Sequence, residues 1–203
     1  MKYGSAILFF LLLCSFRMPF QVDDWLLQRE KKGIKVFTRK SSWSKLKDSR
    51  AVMTIHATAD EVIRLITDVN QYPKWLPRCK SARIVAHINP NEFLVYICYD
   101  LPWPVADRDC VSRMKITREA NGTTTITSTC EPKYIKEENG VVRVTQMVGK
   151  WKITPRANGV EVMNEYSSDP GGSLPDWLIN SHSVDNPYEM FSIIQEKMAV
   201  SKP

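Results

Sequence analysis

Mostly apolar residues recur three or four positions apart between Ser173 and Val200, a spacing that places side chains on one face of an α-helix. Residues 169 to 172 (Asp-Pro-Gly-Gly) end the preceding pattern, and Pro175 fits the first turn of a helix. Pro187 predicts a kink or a break into two helices, because proline removes one backbone hydrogen bond. We therefore expect a long C-terminal helix whose broad apolar face is covered by other elements. That face comprises Leu174, Trp177, Leu178, Ser181, Val184, Tyr188, Phe191, Ile194 and Met198.

The first part of the chain mixes helical and strand patterns. Residues 23 to 32 predict a short helix with Trp25 and Leu26 inward, which Gly33 ends. Residues 34 to 40 and 47 to 57 alternate between apolar and polar side chains and predict two strands. Thr58 fits the cap of an amphipathic helix over residues 59 to 68, and a loop rich in proline and aromatic residues follows.

From Ser81 onward the pattern is nearly all strand. Residues 81 to 88 and 92 to 100 predict a hairpin, and a proline-rich segment then leads to a strand over residues 108 to 119. Asn-Gly pairs, which favour tight hairpin turns, begin at residues 121, 139 and 158. The expected result is an antiparallel meander that continues through strands 123 to 131, 141 to 153 and 160 to 168.

A curved sheet cannot pack flush against one long helix, so this arrangement predicts an α+β fold with an internal hydrophobic cavity. In the strand over residues 108 to 119 the even positions are less charged than the odd ones and should point inward. Residues 93 to 100 are apolar on both faces, so alternation does not assign their orientation. The residues expected to line the cavity are Tyr96, Cys98, Cys110, Met114, Ile126, Gln146, Trp177 and Phe191.

The first 21 residues are expected to be a secretory signal peptide, followed by one domain over residues 22 to 203. Residues 6 to 14 form an apolar run that is about half the length needed to cross a bilayer. We therefore expect a periplasmic or secreted protein. Attachment of a lipid at Cys14, an uncleaved membrane anchor and an ordinary buried helix stay open as alternatives.

Composition narrows the classes of function. The 203 residues are 43% apolar and 25% charged, with a net charge of +6, which is typical of one globular domain. The positive charge is expected to form an ordinary basic surface, with transient contact with anionic membrane surfaces as the alternative. The sequence has no basic stripe, so nucleic-acid binding is not expected. The three histidines have no metal-ligand spacing and no nucleotide or hydrolase motif occurs, so no metal, cofactor or catalytic residue is expected. The domain is expected to act as a monomer.

Two clusters of reactive residue types remain. Asp107 and Asp109 are expected to anchor a loop through salt bridges, with acid–base chemistry as the alternative. Beyond Cys14 the cysteines are too far apart in sequence for a Cys-x-x-Cys motif. Buried thiols are the expected state. A bridge between Cys98 and Cys110 is the alternative, because a hairpin centred near Pro104 would place them opposite each other.

Four motifs, in this order over about residues 22 to 200, resemble the START (StAR-related lipid transfer) family within the Bet v 1-like and polyketide cyclase superfamily. The resemblance implies a helix-grip fold with a tunnel that holds one lipid or sterol, and the matching wall position, Met114, implies a mostly neutral ligand. A cyclase-like or hydrolase-like enzyme and a ligand-sensing module are the alternatives. The motifs are Tyr72-Pro73-Lys74-Trp75, Trp103-Pro104-Val105-Ala106-Asp107-Arg108-Asp109, Gly149-Lys150-Trp151 with Pro155, and Asp169-Pro170-Gly171-Gly172-Ser173-Leu174-Pro175-Asp176-Trp177.

Overall fold

The structure, a computed structural model, describes residues 24 to 172 and 174 to 200, with the backbone alone for residues 176 to 182 and Val200. The expected signal peptide lies outside these residues. The described backbone forms ten strands, two α-helices and one 3-10 helix. The strands are β1 (Leu26–Lys31), β2 (Ile34–Arg39), β3 (Asp48–Ile55), β4 (Cys79–Asn89), β5 (Glu92–Tyr99), β6 (Asp107–Arg118), β7 (Thr124–Cys130), β8 (Val141–Arg143), β9 (Gln146–Arg156) and β10 (Gly159–Asp169); the helices are α1 (Ala59–Thr67), a 3-10 helix (Val69–Lys74) and α2 (Asp176–Val200).

One sheet contains all the described strands in the order β1-β2-β3-β10-β9-β7-β6-β5-β4. Neighbours on this path are antiparallel, and β8 lies off the path, parallel to β6. Both α1 and α2 pack on one face of the sheet. The predicted α+β architecture, an antiparallel sheet against a long C-terminal helix, is confirmed. Neither helix in the described ranges is long and apolar enough to cross a membrane.

The predicted first helix is wrong, because residues 26 to 31 form strand β1. Lys32 and Gly33 both adopt positive φ, at 52° and 76°, and this tight turn pairs β1 with β2. Leu26, expected to point inward, is 66% exposed. The helical preference of the local sequence is overridden by backbone pairing with β2, which only the tertiary structure supplies.

Both predicted amphipathic helices are present. The Thr58 side chain accepts a hydrogen bond from the backbone amide of Glu61, and the Glu61 carboxylate accepts one from the backbone amide of Thr58, so α1 begins with a capping box. Helix α2 is continuous through Pro187. The expected alternative of two separate helices is therefore wrong.

The expected strand over residues 141 to 153 is divided into β8 and β9. Asn139 and Gly140 do form a turn, with φ of Gly140 at 81°, but the turn leads into β8 rather than joining β7 to β9. The Arg143 guanidinium donates two hydrogen bonds to Asp109, at 2.7 and 2.9 Å, and others to the carbonyls of Pro132 and Ile135. This buried ion pair holds residues 131 to 140 against the sheet and interrupts the meander.

Candidate functional site

Alternate residues of each strand point to the face on which α1 and α2 pack, here called the inner face. The strand register aligns these residues in rows across the sheet. One such row crosses six strands and changes in character along its length, with large apolar side chains at one end and hydroxyl groups or no side chain further on. Its members are Phe93, Met114, Ser128, Gly149, Tyr166 and Ser49.

On one side of this row the inner face is densely packed. Phe191 of α2 is fully buried and stacks on Trp151, with 5.9 Å between ring centroids and an interplanar angle of 9°. Ile194 of α2 and Val62 of α1 are also fully buried in the same cluster. We call this region the packed half; its sheet residues are Met53, Ile126, Trp151, Ile153 and Val162.

The other side of the inner face differs in chemistry and packing, and we call it the mixed half. Several of its side chains retain accessible surface although they point to the covered face of the sheet. Gly149 presents no side chain to this face, and a Cβ there would make ordinary van der Waals contact with Ser128 Cβ at 3.6 Å, Tyr166 Cδ2 at 3.7 Å and Met147 Sδ at 3.9 Å. The mixed half includes Ser128 and Tyr166 of the row and, beyond it, the polar or sulfur-containing residues Tyr99, Cys110, Ser112, Cys130 and Met147 and the apolar residues Val95 and Ile97.

The two tyrosines of the mixed half lie in a protein-enclosed environment. Burial raises the pKa of the Tyr99 hydroxyl well above its usual range, and burial also raises the pKa of Tyr166. Each nevertheless keeps part of its surface accessible. Enclosure together with accessible surface is what the wall of an internal space shows, so the mixed half is the candidate site.

Tyr99 also offers this space a polar group. Within the described part of the chain its hydroxyl has no hydrogen-bond partner. The hydroxyl oxygen is not one of the fully buried, unpartnered side-chain atoms of the described residues, so it keeps accessible surface, and a ligand oxygen or a water molecule in the space could bind it. The mixed half therefore combines apolar side chains with neutral hydrogen-bonding groups.

Arg108 lies at the edge of the mixed half, paired with Tyr99 across β5 and β6. Its buried guanidinium donates to three carbonyls, those of Ala106 at 2.5 Å, Gly171 at 3.2 Å and Pro170 at 3.5 Å. Among the described residues no carboxylate lies within ion-pair distance of it. Burial accordingly lowers its pKa. The hydrogen bonds tie the segment that precedes α2 to the sheet.

Four of the residues expected to line the cavity do lie on the inner face. Cys110 belongs to the mixed half, Met114 lies in the row between the two halves, and Ile126 and Phe191 lie in the packed half. Phe191 faces the sheet as the helical spacing predicts. Contact of these four residues with a ligand stays a prediction, and the side chain of Trp177 lies outside the described residues.

Three other residues from that set are misplaced. Tyr96 and Cys98 lie on the outer face, in a separate cluster with Val111 that Ile135 and Val141 partly cover. Because both faces of β5 are apolar, alternation gave no means of choosing between them. Gln146, at the start of β9, is exposed, and its position in the alternation of β9 is opposite to that of Trp151.

The alternative of a Cys98–Cys110 bridge is also wrong. Cys98 pairs with Asp109, and Cys110 pairs with Ile97. This offset of one residue from the expected register turns the two thiols to opposite faces of the sheet. All four described cysteines are free, as expected for buried thiols.

Both acidic residues of the Arg108 motif take part in ion pairs. Asp109 binds Arg143, and Asp107 accepts a hydrogen bond at 2.7 Å from Lys80 and one from the backbone amide of Leu101. The hydrogen bond from Lys80 is the main cause that lowers the pKa of Asp107. These contacts agree with the expected anchoring role.

Sequence reasoning missed Trp151, Tyr99, Tyr166 and Arg108. Trp151 could have been found, because Gly149, Trp151 and Ile153 alternate with lysines and a valine. The inward orientation of Tyr99 and Tyr166 could not be predicted from alternation. The residues near each tyrosine are either apolar on both faces of the strand or polar on both faces. Arg108 occupies an even position of its strand, the set expected to point inward, but it was not assigned to the site because a charged residue is normally expected at the surface.

Comparison with known proteins adds family membership to this geometry. The family model of the START domain matches residues 18–196. An uncharacterized protein of Pseudomonas aeruginosa is 36% identical over 166 residues, which cover 81% of this chain and 82% of that protein. The phosphatidylcholine transfer protein of Bos taurus is 33% identical over 96 residues, covering 44% of this chain and 45% of that protein.

Solved structures show the same architecture. A STAR-related lipid transfer protein from Xanthomonas axonopodis superposes with a TM-score of 0.80 at 29% identity, covering 87% of this chain and 99% of that chain. Human StAR-related lipid transfer protein 5 superposes with a TM-score of 0.78 at 18% identity, covering 89% of each chain, a likeness that bears on the fold alone. The predicted helix-grip fold is confirmed, and the chain belongs to the START domain family.

Proposed function

We propose that this chain binds one lipid or sterol in the mixed half, between the sheet and α2, and transfers it without changing it chemically. The observation that carries the proposal is the contrast within the inner face, where Tyr99, Ser128 and Tyr166 are enclosed yet retain accessible surface. Membership of the START family and the likeness to a phosphatidylcholine transfer protein support lipid binding in general.

The wall chemistry favours a mostly neutral ligand. The mixed half carries hydroxyl and thiol groups, and the charged Arg108 at its edge already donates to three backbone carbonyls. Met114, beside Ser128 in the register, adds an apolar contact. A sterol or fatty acyl compound with a small polar end matches this distribution, because its apolar surface would be buried at roughly 25 cal/mol per Å².

Native mass spectrometry of the gently purified protein, with organic extraction, tests the binding proposal. We expect a stoichiometric apolar adduct in the wild type and its loss in Ser128→Phe, which places a ring in the mixed half. Thr129→Phe is the matched control, because Thr129 is exposed and adjacent on the same strand. An empty protein that takes up neither sterols, fatty acids nor phospholipids would contradict the proposal and favour the cyclase-like enzyme.

Transfer requires contact with a membrane, and we propose that the loops at one end of the strands make this contact. The register places the β2–β3 and β5–β6 connections at the same end of the strands, which is also the end where Arg108 lies. Trp103 in the β5–β6 connection is 92% exposed, and Trp43 in the β2–β3 connection lies among exposed lysines. Exposed tryptophans and basic residues favour the interface of an anionic membrane.

Sedimentation with vesicles of phosphatidylcholine and phosphatidylserine tests this contact. Trp103→Ala should sediment less than the wild type while retaining its ligand. Ile88→Ala is the control, since Ile88 is an exposed apolar residue in the β4–β5 hairpin, at the opposite end of the strands. Equal sedimentation of both variants and the wild type would argue against membrane contact through the loop that carries Trp103.

Export is also proposed, on the apolar run over residues 6 to 14 that follows Lys2. Expression of the full chain in a bacterial host, followed by fractionation and mass measurement of the N-terminus, tests it. Processed protein outside the cytoplasm is the expected result. Unprocessed chain confined to the cytoplasm would contradict export.

A further inference from the structure

Two thiols of the mixed half lie in contact. Cys110 on β6 and Cys130 at the end of β7 place their Sγ atoms 3.4 Å apart. They are diagonal neighbours, because Cys130 pairs with Ser112, two residues beyond Cys110. Among the described cysteines the other two lie elsewhere, Cys79 in the main core and Cys98 on the outer face.

The two thiols have different environments. Cys110 is only 5% exposed, whereas Cys130 is half-buried. A hydrogen bond between them lowers the pKa of Cys130, with a further contribution from the charge of Arg143. The same hydrogen bond, and then burial, raise the pKa of Cys110. An accessible thiolate beside a protonated neighbour suits thiol–disulfide exchange, in which one thiolate attacks and the second resolves.

We propose that Cys110 and Cys130 form a reversible disulfide bond that links β6 and β7 across the wall of the mixed half. The oxidant is a disulfide compound such as glutathione disulfide. The Cys130 thiolate attacks one sulfur and releases one glutathione, and Cys110 then loses its proton and attacks the mixed disulfide, releasing the second. The protein loses two hydrogens and two electrons, and the oxidant becomes two thiols.

The geometry needs only a local adjustment. Sulfur atoms in a disulfide are about 2.05 Å apart, so the present separation must shorten by roughly 1.3 Å. Because β7 ends at Cys130, this movement falls on a strand terminus rather than on the middle of the ladder. The bridge would close the β6–β7 hairpin and restrict the unfolded chain, which raises the melting temperature of the oxidised form.

Peptide mapping of the full chain after equilibration with glutathione disulfide tests the pairing. Cleavage after arginine and lysine separates Cys110, in residues 109 to 113, from Cys130, in residues 119 to 133. We expect these two peptides to be joined, a mass loss of two hydrogens in the intact protein, and reversal by dithiothreitol. The oxidised wild type should also melt at a higher temperature than the reduced protein.

Single substitutions separate this pair from general oxidation. Cys110→Ser and Cys130→Ser should each abolish the joined peptide and the rise in melting temperature. Cys79→Ser, which alters a buried cysteine of similar exposure, should leave both intact. Melting curves under reducing conditions verify that every variant folds. Unjoined peptides in the folded wild type, or a bridge that maps to Cys79 or Cys98, would overturn the proposal.

Discussion

The packed and mixed halves of the inner face are built from the same strands yet differ in what they do. On β7, Ile126 is fully buried, whereas Ser128, two residues further along the same face, retains accessible surface. On β9, Trp151 stacks on Phe191, whereas Gly149 presents no side chain between Ser128 and Tyr166. Alternation assigns a residue to a face, but side-chain size along the strand decides whether that face is filled or left open.

This difference divides stability from binding. Large side chains in the packed half hold α2 to the sheet through burial, and each is worth roughly 1.5 to 3 kcal/mol. Small and polar side chains in the mixed half contribute less to stability and are the proposed ligand contacts. The two halves should therefore respond differently to the same kind of substitution.

The largest expected effect is in the packed half. Phe191→Ala should lower the free energy of unfolding by about 3 to 5 kcal/mol, because it removes a fully buried ring and leaves a cavity. Ser128→Ala, in the mixed half, should change it by less than about 1 kcal/mol, since no large group is lost. Urea unfolding followed by circular dichroism measures both. Equal losses in the two variants would contradict the division.

An intermediate effect is expected at Arg108, on the edge of the mixed half. Arg108→Met removes the donors to Ala106, Pro170 and Gly171, and a hydrogen bond from a charged group contributes about 1.5 to 3 kcal/mol. We expect a loss of about 2 kcal/mol, faster amide exchange around Gly171, and faster release of bound ligand.

Arg113→Met provides the matched control for Arg108. Arg113 lies on the same strand but pairs with Glu92 and Glu131 in a part-exposed network, where ion pairs contribute little. Its exchange and ligand release should resemble those of the wild type. If Arg108→Met leaves the exchange of residues 170 to 172 unchanged, the guanidinium does not anchor that segment.

The elements with one clear apolar face could be predicted from sequence. The helical spacing placed Phe191 against the sheet, and the pattern from Thr58 predicted the cap of α1. Alternation on β6 also placed Met114 and Cys110 on the inner face. In each case one local pattern was sufficient, because the two sides of the element differ in polarity.

Features that depend on partners distant in sequence could not be predicted. Residues 26 to 31 suit a helix locally, but pairing with β2 makes them a strand. On β5 both faces are covered, so the outward position of Tyr96 follows only from the segment around Ile135. The proximity of Cys110 and Cys130 depends on the β6–β7 register, which no spacing between the cysteines reveals.

The smallest expected effect concerns thiol reactivity and compares Cys79, which pairs across the sheet with Tyr99, with Cys130 of the mixed half. Burial raises the pKa of Cys79 to about 11. The hydrogen bond between Cys110 and Cys130 lowers the pKa of Cys130. The thiolate is the reactive form of a cysteine, and its fraction rises as the pH passes the pKa. The rate of labelling therefore rises over the same pH range. In reduced protein, iodoacetamide should label Cys130 first as pH is raised, and Cys79 only at higher pH. Cys110→Ala should move the labelling of Cys130 to higher pH, because alanine cannot form the hydrogen bond that lowers the pKa of Cys130. Labelling in urea should remove the difference between Cys79 and Cys130, since both then share the environment of the unfolded chain. If folded protein labels both cysteines over one pH range, then the thiols of Cys79 and Cys130 do not differ in environment.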